Sequence, residues 1–179
     1  MVVRHRMTVD EYLALPEEKP YLEYICGEVV PKAVPDYRHA DLVHALDVAL
    51  DRHMRLHDGK AGPEGRVLFH TALGEQFRLP DLSYWAAERP RLGARAMQPP
   101  TLAVEVRSPD ESLESQREKC RFYRGHGVEV AWLVDPDSRS VEVFEGDRDG
   151  DAVTAGLLAS AHLPGLSIDI AEFFGVLDN

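Results

Sequence analysis

Two acidic residues lie inside apolar stretches of the sequence, where a carboxylate is costly to bury without a cation beside it. Asp81 follows a proline, and Glu105 lies within the Thr-Leu-Ala-Val-Glu-Val stretch of residues 101–106. Paired carboxylates suit Mg²⁺, which binds one or two acids and keeps several waters. The pair therefore predicts a shared divalent cation. Taken singly, Asp81 could be an ordinary turn residue and Glu105 could pair with Arg107 on a solvated face.

Each acid needs a strand to position it. The alternation of residues 102–107 predicts a strand with leucine and valine on one face and with Glu105 and Arg107 on the other. Residues 76–85 predict a second strand that contains Asp81, and its proline marks a bend, because a strand tolerates proline at an edge or a bulge. Neighbouring strands would bring the two acids together.

Other patterns predict the elements around these strands. A capping box at residues 8–11 indicates a short first helix. A central Cys-Gly pair indicates a hairpin over residues 21–30. Apolar residues at three- and four-residue steps predict an amphipathic helix between residues 36 and 57. A basic helix is expected at residues 112–124, followed by an apolar strand at 128–134.

Composition favours one globular domain. The chain has 179 residues, of which 44% are hydrophobic and 28% charged, and we expect residues 1–179 to share one core. No apolar run approaches the roughly 18 residues of a membrane helix. The basic N-terminus lacks the apolar region of a signal peptide, and the two cysteines form no C-x-x-C pair. These features predict a cytoplasmic protein that crosses no membrane.

The net charge of −11 disfavours binding to nucleic acid over the whole surface, because such affinity rests on lysine and arginine neutralising phosphates. Any such binding should therefore be local, although each basic cluster could equally be a solvated face. The clusters comprise Arg52, Arg55 and Lys60; Arg89, Arg91 and Arg95; and Arg117, Lys119, Arg121 and Arg124.

Three motifs occur in an order that resembles the one in a known protein family. They are Pro-Asp at 80–81, Val-Glu-Val-x-Ser-Pro at 104–109, and Lys-x-x-x-Tyr-x-x-x-Gly-Val-x-x-x-Trp-Leu-Val-Asp-Pro at 119–136. Together they resemble the Uma family of restriction-endonuclease-like proteins, in the PD-(D/E)XK nuclease superfamily, over about residues 7–145. The resemblance implies an α/β (α+β) fold: a restriction-endonuclease-like core with a mixed central sheet, flanking helices, and an N-terminal helix and hairpin.

The resemblance also implies a metal site and a catalytic cation. Asp81 and Glu105 would hold Mg²⁺, with Mn²⁺ as a substitute, and the backbone carbonyl of Val106 would complete the coordination. In the standard superfamily motif the lysine lies two residues after the glutamate, where this chain has Arg107. In the Uma-type pattern a lysine of the following helix supplies the ammonium, and it matches Lys119.

Four further residues are candidates for supporting roles. Glu23 matches an acid of the family and could lie near the metal or face water, and His39 matches a family histidine that could contact a phosphate or metal-bound water. Tyr123 is four residues after Lys119 and therefore shares its helix face. Arg107 would clamp a phosphate through the planar fork of its guanidinium, but it would be a poor proton carrier because it stays protonated.

The function implied by the resemblance is hydrolysis of DNA phosphodiester bonds by a Mg²⁺-dependent endonuclease that forms a homodimer. One alternative is a catalytically silent nucleic-acid-binding or assembly module on the same fold, since a fold does not dictate a function. The acidic charge of the chain favours that alternative. Another is a metal-dependent hydrolase with a substrate other than nucleic acid, which would use the same carboxylates without a basic groove.

Overall fold

The structure, a computed structural model, describes residues 6–89 and 96–178. The helices are α1 (Val9–Leu13), α2 (Tyr37–His57), α3 (Leu113–Gly125) and α4 (Ile170–Gly175), with a 3-10 turn at Val176–Asp178. The strands of the first half are β1 (Leu22–Ile25), β2 (Glu28–Pro31), β3 (Lys60–Pro63), β4 (Val67–Thr71), β5 (Gly74–Arg78) and β6 (Leu82–Trp85). Those of the second half are β7 (Leu102–Val106), β8 (Val130–Asp135), β9 (Ser140–Glu145), β10 (Arg148–Val153), β11 (Leu157–Ala159) and β12 (Ser167–Asp169).

A six-stranded mixed sheet forms the centre of the fold. Its order is β10-β9-β8-β7-β6-β3, with β7 and β8 parallel and the other neighbours antiparallel. A second sheet of order β2-β1-β5-β4 is antiparallel throughout, and β11 and β12 form a small ribbon. The predicted α/β architecture with a mixed central sheet, flanking helices and an N-terminal helix and hairpin is confirmed.

Side chains of the central sheet alternate between two cores. The leucine and valine side chains of β7 pack with α2 and α4, together with Trp132 of β8. On the other face, Ala103 and Leu133 pack under α3 with Tyr123. The predicted alternation along β7 is confirmed, and it directs Glu105 to the face covered by α3, because Ala103 and Glu105 are two residues apart.

The predicted helices begin at capping residues with short polar side chains. The capping box of Thr8 and Glu11 is present at α1, and Asp36 caps α2 by accepting the N–H of His39. Ser112 caps α3 in the same way. The predicted hairpin is formed by β1 and β2, and Cys26 at its turn has a φ of 51°, a conformation that asparagine and glycine adopt at lower cost. No helix among the described residues is long and apolar enough to cross a bilayer.

The prediction of one strand over residues 76–85 is wrong. The chain forms β5 in the four-stranded sheet, leaves it at Leu79, and begins β6 in the central sheet at Leu82. Pro80 has no N–H to donate, so a regular strand is interrupted here. Asp81 therefore lies in the link between the two sheets rather than inside a strand.

Candidate active site

The pairing of β6 with β7 brings the two acids together. Leu82 lies opposite Val104 in this antiparallel pair, and one further step along the register places Asp81 opposite Glu105. Residues directly opposite in such a pair share a face. Asp81 is 3% exposed and Glu105 is 2% exposed. Two carboxylates are thus buried side by side at the end of a strand pair.

The carboxylate of Asp81 has a different partner on each oxygen. The Lys32 ammonium lies 2.6 Å from Oδ1, and the His39 Nε2 lies 3.3 Å from the same oxygen. The backbone N–H of Val106 donates to Oδ2 at 2.7 Å. One oxygen therefore contacts two side chains, and the other accepts from the backbone of β7.

The carboxylate of Glu105 is held by two side chains of α3. The Tyr123 hydroxyl donates to Oε1 at 2.6 Å, and the Lys119 ammonium donates to Oε2 at 3.1 Å. The two residues lie four apart and share the helix face that packs on β7, as the spacing predicted. The helix thus delivers one cation and one neutral donor to the same buried acid.

Glu23 is buried beside this pair. It lies on β1, and its Oε1 accepts the N–H of Leu79 at 2.9 Å and lies 4.0 Å from the Lys119 ammonium. Its Oε2 lies 3.6 Å from the Arg78 guanidinium. Glu23 therefore does not face water, which was one of its two predicted placements, and it fixes the chain immediately before Asp81.

His39 connects the start of α2 to the acid pair. Asp36 accepts its backbone N–H at 2.8 Å, which fixes the first turn of the helix. The Nδ1 atom of the ring lies 3.5 Å from the Ser108 hydroxyl, and the Nε2 atom faces Asp81. Burial opposes the imidazolium, but the hydrogen bond and the negative charge of Asp81 raise the pKa of His39 above its ordinary value.

The two acids differ in pKa because their surroundings differ. Burial favours the neutral form of Asp81, but the Lys32 ammonium and the His39 side chain outweigh it and hold the pKa of Asp81 well below its ordinary value. Burial raises the pKa of Glu105 to about 7, with the Lys119 ammonium opposing and the charge of Asp81 adding to this shift. Burial also opposes the charge of Lys119, but the surrounding acids, Glu105 first, raise the pKa of Lys119.

Arg107 contacts neither acid of the pair, and Glu105 is buried with other partners. The alternative in which Glu105 pairs with Arg107 on a solvated face is therefore wrong. The Arg107 guanidinium donates to Asp135 Oδ1 at 2.8 Å and lies 3.2 Å from Asp137 Oδ2. Arg107 therefore joins the end of β7 to the turn after β8.

Lys32 is the site residue that sequence reasoning missed. It follows β2 directly, and its backbone N–H donates to the Tyr21 carbonyl at 2.8 Å. One signal was available: a single lysine between Val-Val-Pro and Ala-Val-Pro, in a chain with only four lysines. Its partner Asp81 could not be inferred, because their proximity depends on the packing of two sheets.

Most of the basic side chains in the predicted clusters pair with acidic or backbone groups of the chain itself. Arg117 pairs with Glu142 at 2.6 Å, and Arg121 pairs with Asp149 at 2.9 Å. Arg124 donates to two backbone carbonyls. Arg55 pairs with Asp51, and Arg89 pairs with Glu129. Arg91 and Arg95 lie outside the described residues.

The donor set of the acid pair suits a hard divalent cation. Asp81 and Glu105 offer carboxylate oxygens, the ligands that Mg²⁺ prefers, and Mg²⁺ commonly takes its remaining ligands from water and substrate phosphate. The N–H and C=O of one residue in an extended strand point to the same side. We therefore expect the carbonyl of Val106 on the same side of β7 as its N–H, which donates to Asp81. Within residues 6–89 and 96–178, no three His, Cys, Asp or Glu side chains form a complete metal site by themselves.

Comparison with known proteins identifies related chains. The family model of Uma2, described as "Putative restriction endonuclease", matches residues 9–171. The chain is also similar to the crystal structure of "a putative nuclease belonging to DUF820" from Anabaena variabilis. That match has a TM-score of 0.82 and 25% sequence identity, and covers 96% of this chain and 99% of the other. No curated protein matches the sequence.

Proposed function

Because the chain belongs to the Uma2 family and buries two carboxylates beside a lysine, we propose that it is a metal-dependent endonuclease that hydrolyses DNA phosphodiester bonds. The family and its structural neighbour support a nuclease-like function in general terms. Mg²⁺ as cofactor and DNA as substrate are our proposals. The observation that carries them is the contact of the Lys119 ammonium with Glu105, 3.1 Å apart, next to Asp81.

In this proposal Asp81, Glu105 and the Val106 carbonyl hold the cation. Bound Mg²⁺ would polarise a phosphate oxygen and lower the pKa of a water. Backbone and side chains fix the two acids beforehand: the Val106 N–H orients Asp81, and the Tyr123 hydroxyl orients Glu105. Such pre-organised polar groups lower the barrier because they need not reorient during the reaction.

Lys119 is the proposed catalytic cation. Its ammonium lies at the acid pair, where it would stabilise the negative charge that develops on the phosphate in the transition state. The raised pKa of Lys119 keeps it protonated at neutral pH, which suits charge stabilisation rather than proton abstraction. Glu23 has the supporting role of positioning Lys119 and the Leu79 backbone. His39 would bind a metal-bound water or a phosphate from the other side of Asp81.

A plasmid-nicking assay tests this function. The native protein should nick supercoiled DNA in the presence of Mg²⁺ or Mn²⁺. The nicking should stop when the metal is chelated. Asp81→Asn should lose cleavage and divalent-cation binding together. Lys119→Met should lose cleavage by roughly a hundredfold or more, as the removal of one transition-state donor does, and should still bind Mn²⁺.

Glu118→Gln provides a control, because Glu118 is an exposed residue of α3 next to Lys119 in sequence. It should nick DNA at the native rate. Absence of divalent-dependent nicking by the folded native protein, over a range of DNA substrates, would refute the endonuclease assignment.

One observation favours a second candidate, the catalytically silent binding or assembly module. The chain carries a net charge of −11, and the arginines of α3 are occupied by internal partners. A module would bind Mn²⁺ or a partner without cleaving DNA, so calorimetry with Mn²⁺ alongside the nicking assay distinguishes the two.

We also propose that residues 1–179 form one restriction-endonuclease-like domain that assembles as a homodimer, so that two sites address two strands. The span of the family match, residues 9–171, supports the single domain. Light scattering of the pure protein measures the assembly, and a monomer at all concentrations would refute the dimer.

A further inference from the structure

The Lys32 side chain is buried at the acid pair with an incomplete set of partners. The side chain is 9% exposed, and its ammonium lies 2.6 Å from Asp81 Oδ1 in a close ion pair. No other described residue accepts a hydrogen bond from this ammonium. An ammonium has three N–H donors, and burying them unpaired is costly. A structural ion pair alone would be expected to satisfy more of these donors.

The two oxygens of Asp81 differ in how easily they can exchange partners. Oδ2 accepts the Val106 N–H, which belongs to the backbone of a buried strand. Oδ1 faces the end of a flexible lysine side chain and a histidine ring. A cation that binds Asp81 would therefore replace Lys32 at Oδ1 more readily than it would replace the backbone at Oδ2.

Arg107 does not supply the second cation of the site. Its guanidinium contacts Asp135 and Asp137 and not the acid pair. Lys119 is engaged by Glu105. Among the described residues, Lys32 is thus the cation near the acids whose donors are least used, and it lies against Asp81, one of the two proposed metal ligands.

We propose that Lys32 is a metal placeholder and a substrate-binding cation: its ammonium holds Asp81 until a divalent cation takes Oδ1, and then binds a non-bridging oxygen of the substrate phosphate. The second half rests on the proposed function, whereas the displacement from Asp81 does not. Each step is an exchange of ionic partners, so no bond to carbon or phosphorus forms or breaks at Lys32.

Binding of Mn²⁺ to Lys32→Met, measured by calorimetry at mildly alkaline pH, tests the displacement. Removing a competing positive charge within a few ångströms of the ion should strengthen binding by roughly fivefold or more. Lys19→Met is the matched control, because Lys19 is an exposed lysine with a loose contact to Glu64 at 3.8 Å, and it should bind as the native protein does. Unchanged or weaker binding in folded Lys32→Met would overturn the placeholder role.

A measurement on the native protein covers the case in which Lys32→Met does not fold. The chain has four lysines, so labelling them with ¹³C at the ε carbon gives a simple NMR spectrum that Lys→Arg variants assign. Titration with Mg²⁺ should shift the Lys32 signal and leave those of Lys19 and Lys60 in place. A Lys32 signal that stays unchanged while Mg²⁺ binds would refute the exchange.

Binding of a short DNA duplex, with Ca²⁺ in place of Mg²⁺ to slow cleavage, tests the phosphate contact. Lys32→Met should bind more weakly, and its slope of log affinity against log salt should be less steep by about 0.9, the value of one phosphate contact. Tighter Mn²⁺ binding with an unchanged DNA slope would reject the phosphate role. Failure of the native protein to bind DNA would instead reject the proposed function, and the lysine titration would still decide the displacement.

Discussion

The Tyr123 hydroxyl is a neutral donor to a buried carboxylate, which makes its removal costly. Tyr123→Phe would leave Glu105 Oε1 without that donor. A hydrogen bond to a charged group contributes about 1.5–3 kcal/mol to stability, against about 0.5–1.5 kcal/mol for one between neutral groups. We therefore expect Tyr123→Phe to lower the free energy of unfolding by about 2 kcal/mol. Urea denaturation at mildly alkaline pH measures this loss, because burial raises the pKa of Glu105 to about 7 and the carboxylate is ionised above that value.

Tyr24→Phe is the matched control for this prediction. Tyr24 is also buried, and its hydroxyl donates to the neutral carbonyl of Met7 at 3.0 Å. Removing this hydroxyl should lower the free energy of unfolding by less than removing the hydroxyl of Tyr123. Equal losses in the two variants would mean that Glu105 is not ionised in the folded protein.

Individual residue types indicated part of this site. An acid in an apolar strand is a local pattern that pointed to Glu105, whereas Lys119 was assigned from the resemblance to the Uma family and Tyr123 from its spacing of four residues after Lys119. The contact of Lys32 with Asp81 has no such local signature. It joins the end of β2 to the link before β6, and the sequence carries no periodicity that relates those two positions.

At the scale of elements, Asp135, the last residue of β8, is hydrogen-bonded to the turn that follows this strand. Burial favours the neutral form of Asp135, but donors from Ser138 and the Asp137 backbone, together with the charge of Arg107, lower its pKa below the ordinary value of 3.8. A carboxylate with a lowered folded-state pKa contributes stability that is fully present above 3.8 and is lost as the pH falls through the folded value.

Asp135→Asn should therefore reduce the acid dependence of stability. The free energy of unfolding of the native protein should fall as the pH drops below about 4, and the variant should lose less over that range. Denaturant titrations at several acidic pH values measure this slope. Asp137→Asn is the control, because Asp137 is more exposed and lies 3.2 Å from Arg107. If the free energy of unfolding of Asp135→Asn fell with decreasing pH as steeply as that of the native protein, the stabilising role of ionised Asp135 would be wrong.

Helices and hairpins were easier to predict than the end of a strand. Caps and three- and four-residue steps lie within each segment, so α2, α3 and the β1–β2 hairpin followed from local sequence. The breaks at Leu79 and after Val106 depend on which sheet each segment joins. For that reason Asp81 was placed inside a strand rather than in the link between two sheets.

At the scale of the whole molecule, the net charge limits how DNA can be bound. With a charge of −11 and many arginines in internal pairs, few cations remain for phosphates. Each phosphate contact contributes about −0.9 to the slope of log affinity against log salt, so we expect a slope of about −2 to −4. Fluorescence anisotropy of labelled DNA over a salt series measures it. A slope far steeper than this range would reveal a basic surface that the described residues do not show.

The lysines at the acid pair have a consequence for folding in the absence of a metal ion. Asp81 and Glu105 each have an ammonium from the chain itself, so their charges are balanced as soon as the two sheets close around them. Some small metalloproteins fold only with their ion, because the free energy of metal binding is part of their folding free energy. Under the proposed function, this chain would instead fold without the ion, and the supply of divalent cation would control only its activity.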